Sequence, residues 1–279
     1  MSFQVLNLRP FRSGGYGNVY VGNKSDTREP VVVKYLRDSH IPHFRKGFER
    51  EVRLLIRQRP GMIRILAWDL RGDRPFYVMP YFNTGSLKKY AGRLTSAQLH
   101  AVACDLARTL ANLHGANDVH GDIKPDNILV TDQGNLQVAD PLGNGTLLTR
   151  LFSPNSGGTP GYIAPEIAAG GPISIAGDVY SYGETLHHLA TGHVLNTVDE
   201  LDDSLPGFRG NPEIHETIRA CCQADPYARP SMKDVLRILE GITWKAIQLE
   251  QKQAQEHFGV VLFGGLLVLA GLALARDSG

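Results

Sequence analysis

The distribution of apolar and polar residues changes near residue 80. Before that point, four short runs rich in β-branched and aromatic residues are separated by turn-forming residues, which predicts strands. Between the second and third runs, apolar residues recur at helical spacing and predict a helix over residues 44–58. The first eighty residues are therefore predicted to form a small α+β unit. The predicted strands span residues 19–23, 31–36, 63–70 and 75–81.

After residue 81 the apolar periodicity is mostly helical. Thr95 and Gln98 stand at the two positions of a capping box, which opens a predicted helix that extends toward His114. A glycine-rich stretch over residues 141–161 is too long for a simple connection, which is typical of a functional loop. Further helices are predicted over residues 176–191, 212–223 and 231–242, the last continuing through residue 257.

The longest apolar run lies close to the C-terminus. Residues 258–275 contain no charged and no strongly polar side chain. A helix of this length, at about 1.5 Å per residue, is about 27 Å long, close to the hydrocarbon thickness of a bilayer. A buried core helix is the alternative, but it would need a groove that covers the run on all sides. The run therefore predicts a transmembrane helix.

Composition narrows the function classes only slightly. The formal net charge of +1 gives no support for a nucleic-acid partner, and 42% apolar with 20% charged residues is typical of a folded protein. The three cysteines, Cys104, Cys221 and Cys222, form neither a disulfide framework nor a metal-ligand spacing, which favours free thiols in a reducing compartment. The N-terminus lacks the basic start and apolar run of a secretory signal.

Candidate chemistry begins in the N-terminal unit. Gly14, Gly15 and Gly17 lie between two β-rich runs, where a tight backbone turn can approach phosphate oxygens. Glycine hairpins are common, so this segment alone does not identify a nucleotide loop. Lys34 ends an apolar strand, and Glu51, in the middle of the predicted helix, is its expected partner.

The most specific signal is the sequence HGDIKPDNILV at residues 120–130. It places Asp122, Lys124 and Asn127 on one tight loop, and Asp140 follows in a strand-turn sequence. Phosphoryl transfer requires a carboxylate that accepts a hydroxyl proton, a lysine for the transferred phosphate and oxygen ligands for a metal ion. Singly, such residues are usually turn formers. Their combination in this order predicts phosphoryl transfer.

On these segments the chain resembles the eukaryotic-type protein kinase family, from about Phe11 to about Leu239. The resemblance implies an α+β, bilobal protein kinase fold, with a β-rich N-lobe that contains the αC helix and a mainly helical C-lobe. A C-terminal transmembrane helix is added to this fold. The expected divisions are an N-lobe over residues 1–80, a C-lobe over 81–243, a juxtamembrane helix over 244–257 and a transmembrane anchor over 258–275.

The resemblance also implies roles for the site residues. Asp122 is the implied catalytic base, and Lys124 steadies the transferred phosphoryl group. Asn127 and Asp140 are the implied ligands of Mg²⁺, with Mn²⁺ as the alternative ion. The implied ATP-binding residues lie in the phosphate-covering loop, in the Lys34–Glu51 pair and at the hinge with its gatekeeper: Gly14, Gly15, Gly17, Val19, Lys34, Glu51, Met79 and Tyr81.

Motifs beyond the catalytic loop extend the resemblance through the C-lobe. Ala164-Pro165-Glu166 ends the activation segment, and Glu166 is expected to pair with Arg229. Asp178 is expected to order the backbone of the catalytic loop.

The implied activity is ATP- and Mg²⁺-dependent transfer of the γ-phosphate to Ser or Thr hydroxyls of protein substrates, because Lys124 and Thr159 follow the Ser/Thr pattern. No nucleic-acid partner is expected. Since ATP is cytosolic, the catalytic domain is expected in the cytoplasm, held at a membrane by a single-pass anchor. Lys245 and Lys252 before the apolar run, with Arg276 after it, give a slight charge bias in the same direction.

Four positions depart from the family pattern. Arg12 stands at the first glycine position of the nucleotide loop, and Pro80 stands where the hinge usually has an acidic residue. Gly121 replaces the arginine that commonly contacts a phosphate on the activation loop, so loop phosphorylation is not the expected on-switch. Asp-Pro-Leu at residues 140–142 replaces Asp-Phe-Gly, which keeps the carboxylate and is expected to restrict the in/out flip of this segment.

Two alternatives to an active protein kinase remain at this point. A catalytically weak pseudokinase that acts as a membrane-bound scaffold fits Arg12 and the Asp-Pro-Leu sequence. A small-molecule phosphotransferase fits the His-Gly-Asp sequence with its downstream asparagine, but it does not account for Glu166, Asp178 and Arg229.

Overall fold

The structure is a computed structural model that describes residues 3–13, 17–141, 160–195 and 212–241. Within these ranges a β-sheet with one helix forms the N-lobe, and a mainly helical C-lobe follows. Gly14, Gly15, Leu142, Thr159 and the predicted segments 244–257 and 258–275 lie outside the described residues.

The N-lobe is an antiparallel sheet with the strand order β1-β2-β3-β5-β4. Val19 lies opposite Lys34, and Lys34 lies opposite Tyr77. Because directly opposed residues point to the same face of a sheet, the three side chains form one row across it. The strands are β1 Val5–Ser13, β2 Gly17–Lys24, β3 Pro30–Leu36, β4 Ala67–Asp69 and β5 Phe76–Pro80.

The strand prediction was incomplete at both ends of the sheet. β1 was not among the four predicted strands, because Pro10 and two irregularities of register interrupt it. An edge strand tolerates proline, since one side of its backbone makes no ladder bonds. The strand predicted over residues 63–70 is limited to β4, although Ile63 and Ile65 before it are buried.

Helix α1, Pro42–Leu55, packs one face against the inner side of the sheet. It corresponds to the helix predicted over residues 44–58. Its buried face carries Phe48, Val52 and Leu55, with Glu51 between them. A carboxylate is therefore held on the apolar face of this helix, where it needs a partner.

The C-lobe is built around helix α2, Ser96–Gly115. The predicted capping box is present: Thr95 Oγ1 accepts from the Gln98 backbone N–H at 3.2 Å, and Gln98 Oε1 accepts from that of Thr95 at 2.9 Å. Around α2 lie α3 Pro165–Ala168, α4 Ile175–Thr191, α5 Pro212–Cys221, α6 Met232–Leu239, and a hairpin of β6 Ile128–Val130 and β7 Leu136–Val138.

The predicted C-lobe helices were placed correctly but two were too long. α5 ends at Cys221 and α6 at Leu239. Gly241 has a φ of 82°, a left-handed conformation that ends a helix and that glycine adopts at low cost. The predicted continuation through residue 257 lies outside the described residues.

One core runs from the N-lobe into the C-lobe, from Val52 and Leu55 of α1 through Ile123 to Leu106 of α2 and Leu186 of α4. All three cysteines are free thiols, as expected. None of the helices in the described ranges has both the length and the apolar composition required to cross a bilayer.

Helix α4 carries a carboxyl group, Glu184, that is fully buried. Its polar neighbours are the side chain of Tyr180 and the backbone of Leu195, neither of which lies in regular hydrogen-bond geometry with the carboxyl oxygens. Burial raises the pKa of Glu184 to about 8, so the group is mainly neutral at pH 7.

We expect Glu184→Gln to stabilise the protein increasingly as the pH rises. The unfolded state ionises near pH 4.5, whereas the folded state retains its proton until about pH 8, so the wild-type folded state loses stability between these values. Thermal unfolding at pH 5 and pH 8 measures the difference. The exposed Glu240 provides the control as Glu240→Gln. An equal effect of Glu184→Gln at both pH values would contradict the interpretation.

Candidate active site

A cleft with a volume of about 500 Å³ lies between the sheet and the helical lobe. This size is ordinary for a small-molecule site. Its lining combines apolar side chains from the strands with polar side chains from the loops after α2 and β7. Six of the predicted site residues line it: Val19, Lys34, Met79, Tyr81, Asn127 and Asp140.

The inner end of the cleft holds a cluster of charges in which the Lys34 and Glu51 side chains are mostly buried and the Asp140 side chain is partly exposed. Lys34 Nζ lies 2.6 Å from Glu51 Oε1 and 2.9 Å from Asp140 Oδ1. Burial alone would lower the pKa of Lys34, but the negative charges of Asp140 and Glu51 outweigh burial and raise it above its ordinary value. The ammonium group is therefore charged at neutral pH, and it joins β3, α1 and the segment after β7.

Tyr77 belongs to the same cluster, and the sequence analysis missed it. Its hydroxyl lies 2.7 Å from Glu51 Oε1 and 3.2 Å from Asp140 Oδ1. Burial, together with these two carboxylates, raises the pKa of Tyr77 well above its ordinary value, so the hydroxyl keeps its proton and donates. The sequence carries no local signal for this role, because Tyr77 meets Lys34 through the register of β5 against β3.

The loop after α2 brings three predicted site residues into contact. Lys124 Nζ lies 3.0 Å from Asp122 Oδ2. Asn127 Nδ2 donates to Asp122 Oδ2 at 2.7 Å and to the Asp122 backbone carbonyl at 2.9 Å. Because the amide nitrogen is used in these bonds, the amide oxygen is the atom of Asn127 that can serve as a ligand.

Asp178 of α4 fixes the backbone of that loop, as expected. Its carboxylate accepts the backbone N–H groups of His120 and Gly121, each at 2.7 Å, and His114 Nε2 lies 3.0 Å from it. Gly121 has a φ of 80°, a conformation that favours glycine. Gly121, a departure in the sequence, therefore matches the local backbone.

His120 completes the support of the loop. Its Nδ1 accepts the Asp122 backbone N–H at 3.2 Å, and its Nε2 lies 3.1 Å from the carbonyl oxygen of Ala139. An imidazole that accepts at Nδ1 and donates at Nε2 is neutral, and burial lowers the pKa of His120 in agreement with that state. The ring thus connects the loop of Asp122 to the strand that ends before Asp140.

The backbone at Asp140 is strained. Its φ is 56°, an uncommon value for a residue other than glycine, and a buried proline, Pro141, follows it. The contact with Lys34 is present despite the proline that replaces the usual phenylalanine.

The expected pair of Glu166 and Arg229 is also present. Two nitrogens of the Arg229 guanidinium donate to the two carboxylate oxygens of Glu166, at 2.7 and 2.8 Å. Arg229 also donates to the carbonyl oxygens of Gln223 and Ala176. This pair ties α3, which contains Glu166, to the turn before α6, which contains Arg229.

The donor set at the cleft fits a magnesium ion that is shared with phosphate. In the part of the chain that the structure describes, no three His, Cys, Asp or Glu residues converge into a self-sufficient metal site. The oxygen atoms that could serve as ligands are the Asp140 carboxylate and the Asn127 amide oxygen, both from residues that line the cleft. Mg²⁺ commonly takes one or two protein oxygens and completes its shell with water and substrate phosphates.

Comparison with known proteins agrees with this geometry. A family model described as a protein kinase domain matches residues 9–238. A probable LRR receptor-like serine/threonine-protein kinase of Arabidopsis thaliana is 33% identical over 275 residues, which cover 84% of this chain and 24% of that protein. The serine/threonine-protein kinase AfsK of Streptomyces coelicolor is 31% identical over 250 residues, which cover 84% of this chain and 31% of that protein.

A third relative, the probable serine/threonine-protein kinase drkD of Dictyostelium discoideum, is 30% identical over 262 residues, which cover 86% of this chain and 20% of that protein. The chain therefore spans between about a fifth and a third of the length of these relatives.

We expect Asp178→Ala to destabilise the protein by about 3 kcal/mol or more, because two backbone N–H groups and His114 lose a buried acceptor. Urea unfolding measures the loss. The matched control is Asp105→Ala, which removes an exposed ion pair with Arg108 and should cost less than about 1 kcal/mol. Similar losses in the two variants would contradict the anchoring role of Asp178.

Proposed function

The chain belongs to the eukaryotic-type Ser/Thr protein kinase family, and from this premise we propose that it transfers the γ-phosphate of ATP to Ser or Thr hydroxyls of protein substrates, with Mg²⁺ as the metal ion. The observation that carries the proposal is the assembly of two polar clusters at one cleft. They are the cluster of Lys34, Glu51 and Asp140 and the cluster of Asp122, Lys124 and Asn127.

Asp122 is the proposed catalytic base. Asn127 holds one of its carboxylate oxygens at 2.7 Å, which fixes the orientation of the group that accepts the proton of the substrate hydroxyl. Lys124, 3.0 Å from the same carboxylate, places a positive charge where the transferred phosphoryl group passes. Both side chains are mostly buried, so their electrostatic effect is screened less than at the surface.

Lys34 is the proposed ligand of the α- and β-phosphates. Its position is set by Glu51 and Asp140, which balance its charge until the nucleotide arrives. We propose that Val19, Met79 and Tyr81 contact the adenine end of the nucleotide, since they line the cleft on the strand side. In this proposal the glycines of the loop, Gly14, Gly15 and Gly17, cover the phosphates.

Asp140 and the amide oxygen of Asn127 are the proposed holders of Mg²⁺. When bound, the ion supplies positive charge that neutralises the phosphate oxygens and orients them for transfer.

The pseudokinase alternative gains no support from this site. A silent scaffold would be expected to lack at least one of the six polar groups. All six take part in the contacts of the two clusters, and Lys34, Asn127 and Asp140 line the cleft. The contact between Asp140 and Lys34 also persists beside Pro141. The small-molecule phosphotransferase alternative is disfavoured by the Glu166–Arg229 pair, which belongs to the peptide-docking half of the protein kinase C-lobe.

We expect Asp122→Asn to lower kcat for peptide phosphorylation by about 10²-fold or more, because a positioned general base contributes about 10²- to 10⁴-fold. Transfer of labelled phosphate from ATP to a Ser- or Thr-containing protein substrate measures it. Asp132→Asn, at an exposed turn, serves as the control and should retain wild-type activity. Activity of Asp122→Asn near that of the control would refute the assigned role.

We also propose that residues 244–257 form a juxtamembrane helix and residues 258–275 a single membrane anchor, with the catalytic domain in the cytoplasm. The support is the uncharged run itself. An anchor would concentrate the catalytic domain near membrane-bound substrates.

We expect the full chain to remain with membranes after extraction at high pH, and a chain that ends at His257 to enter the soluble fraction. A full-length Leu267→Arg variant is the control for chain length, because a charge at the centre of a span opposes insertion by about 3 kcal/mol. Membrane retention of the shortened chain, or a soluble full chain, would contradict the anchor.

A further inference from the structure

The proposed function leaves the buried hydroxyl of Tyr77 without a role. Tyr77 lies on β5, directly opposite Lys34 on β3. Its hydroxyl is within hydrogen-bonding distance of both carboxylates that hold Lys34, at 2.7 Å from Glu51 Oε1 and 3.2 Å from Asp140 Oδ1. The side chain is fully buried, so bulk water does not replace this donor.

The ring of Tyr77 makes contacts of its own. It packs against Phe48 of α1 with the ring centroids 5.6 Å apart and the planes inclined by 31°. Lys34 Nζ lies 5.6 Å from the Tyr77 ring centroid, on the electron-rich face. One side chain from a strand inside the sheet therefore contacts the helix, the lysine and both carboxylates.

The balance of charge around Lys34 explains why a neutral hydrogen-bond donor, the Tyr77 hydroxyl, fits between Glu51 and Asp140. Glu51 and Asp140 share Lys34, and Glu51 is almost completely buried. A buried carboxylate is costly unless hydrogen bonds satisfy its oxygens. A bound nucleotide would form new contacts with Lys34, and a bound metal ion with Asp140. The Tyr77 hydroxyl would still donate to Glu51, so α1 would keep an attachment to the sheet.

The sequence after Asp140 bears on the attachment of α1 to the sheet by Tyr77. The family resemblance implies a phenylalanine directly after this aspartate, and Pro141 stands there instead. Tyr77 supplies an aromatic ring against α1 from β5, which is hydrogen-bonded to β3 on one side and β4 on the other.

We propose that Tyr77 is a positioning residue that ties α1 to Asp140 through its hydroxyl and thereby holds Lys34 and Asp140 in place for magnesium and nucleotide. The kinetic part of this inference rests on the proposed function. The structural part, the attachment of α1 by the hydroxyl, does not.

The test uses the full chain with Tyr77→Phe, which keeps the ring and removes the hydroxyl. The matched control is Tyr182→Phe, which also removes a hydroxyl from a fully buried ring and breaks its bond to the Ala103 carbonyl at 2.9 Å, inside the C-lobe. Loss of a buried hydroxyl should therefore lower the thermal unfolding temperature in both variants, and only Tyr77→Phe should change the site.

Two measurements separate positioning from general stability. Without nucleotide, amide hydrogen exchange within residues 42–55 should be about tenfold faster in Tyr77→Phe than in the wild type, as expected for a lost hydrogen bond to a charged group. In phosphate transfer, the Mg²⁺ concentration at half-maximal rate should rise and kcat should fall by about tenfold, with an unchanged KM for the protein substrate. Tyr182→Phe should match the wild type in both.

The outcomes distinguish the two proposals. If the wild type transfers phosphate and Tyr77→Phe matches Tyr182→Phe in either measurement, the positioning role of Tyr77 is overturned and the proposed function stands. If the wild type transfers no phosphate, the proposed function fails, and hydrogen exchange alone decides whether Tyr77 holds α1.

Discussion

The ion cluster around Lys34 is the interaction on which the arrangement of the site depends. The buried ammonium group of Lys34 lies within 2.9 Å of two carboxylates. It thereby joins β3 to α1, which carries Glu51, and to the segment after β7, which carries Asp140. Buried charges are stable only when their partners are held in good geometry, so the position of each element constrains the other two. Movement of α1 would separate the buried Glu51 from Lys34, and movement of Asp140 would remove the second carboxylate from that ammonium group.

A second buried charge performs the corresponding task in the C-lobe. Asp178 accepts two backbone N–H groups of the catalytic loop, and the ring of His114 lies 3.0 Å from its carboxylate. Because these donors belong to the backbone, the loop shape is set independently of most of its side chains. The backbone that carries Asp122 is therefore held in place, as the role of base proposed for Asp122 requires.

Two of the four departures from the family pattern, Gly121 and Pro141, lie beside these two clusters. Gly121 suits a left-handed backbone that two hydrogen bonds to Asp178 impose. Pro141 stands where the family resemblance implies a phenylalanine, while the Tyr77 ring packs against Phe48 of α1 and its hydroxyl lies between the two carboxylates. The contacts of Lys34 with Glu51 and Asp140 are thus present, although the neutral side chains around them differ from the family pattern.

The sequence by itself determined the features whose signals are local or whose spacing is tightly constrained by chemistry. These are the capping box of α2, the strands around Lys34, the composition of the catalytic loop and the pair of Lys34 with Glu51. The pair of Glu166 with Arg229 was expected only from the resemblance to the kinase family. Tertiary structure alone decided that Tyr77 meets both carboxylates, that β1 joins the sheet edge and that Glu184 is fully buried. Sheet register and helix packing are set by long-range contacts, and a single sequence carries no local signal of which distant residues will be opposed.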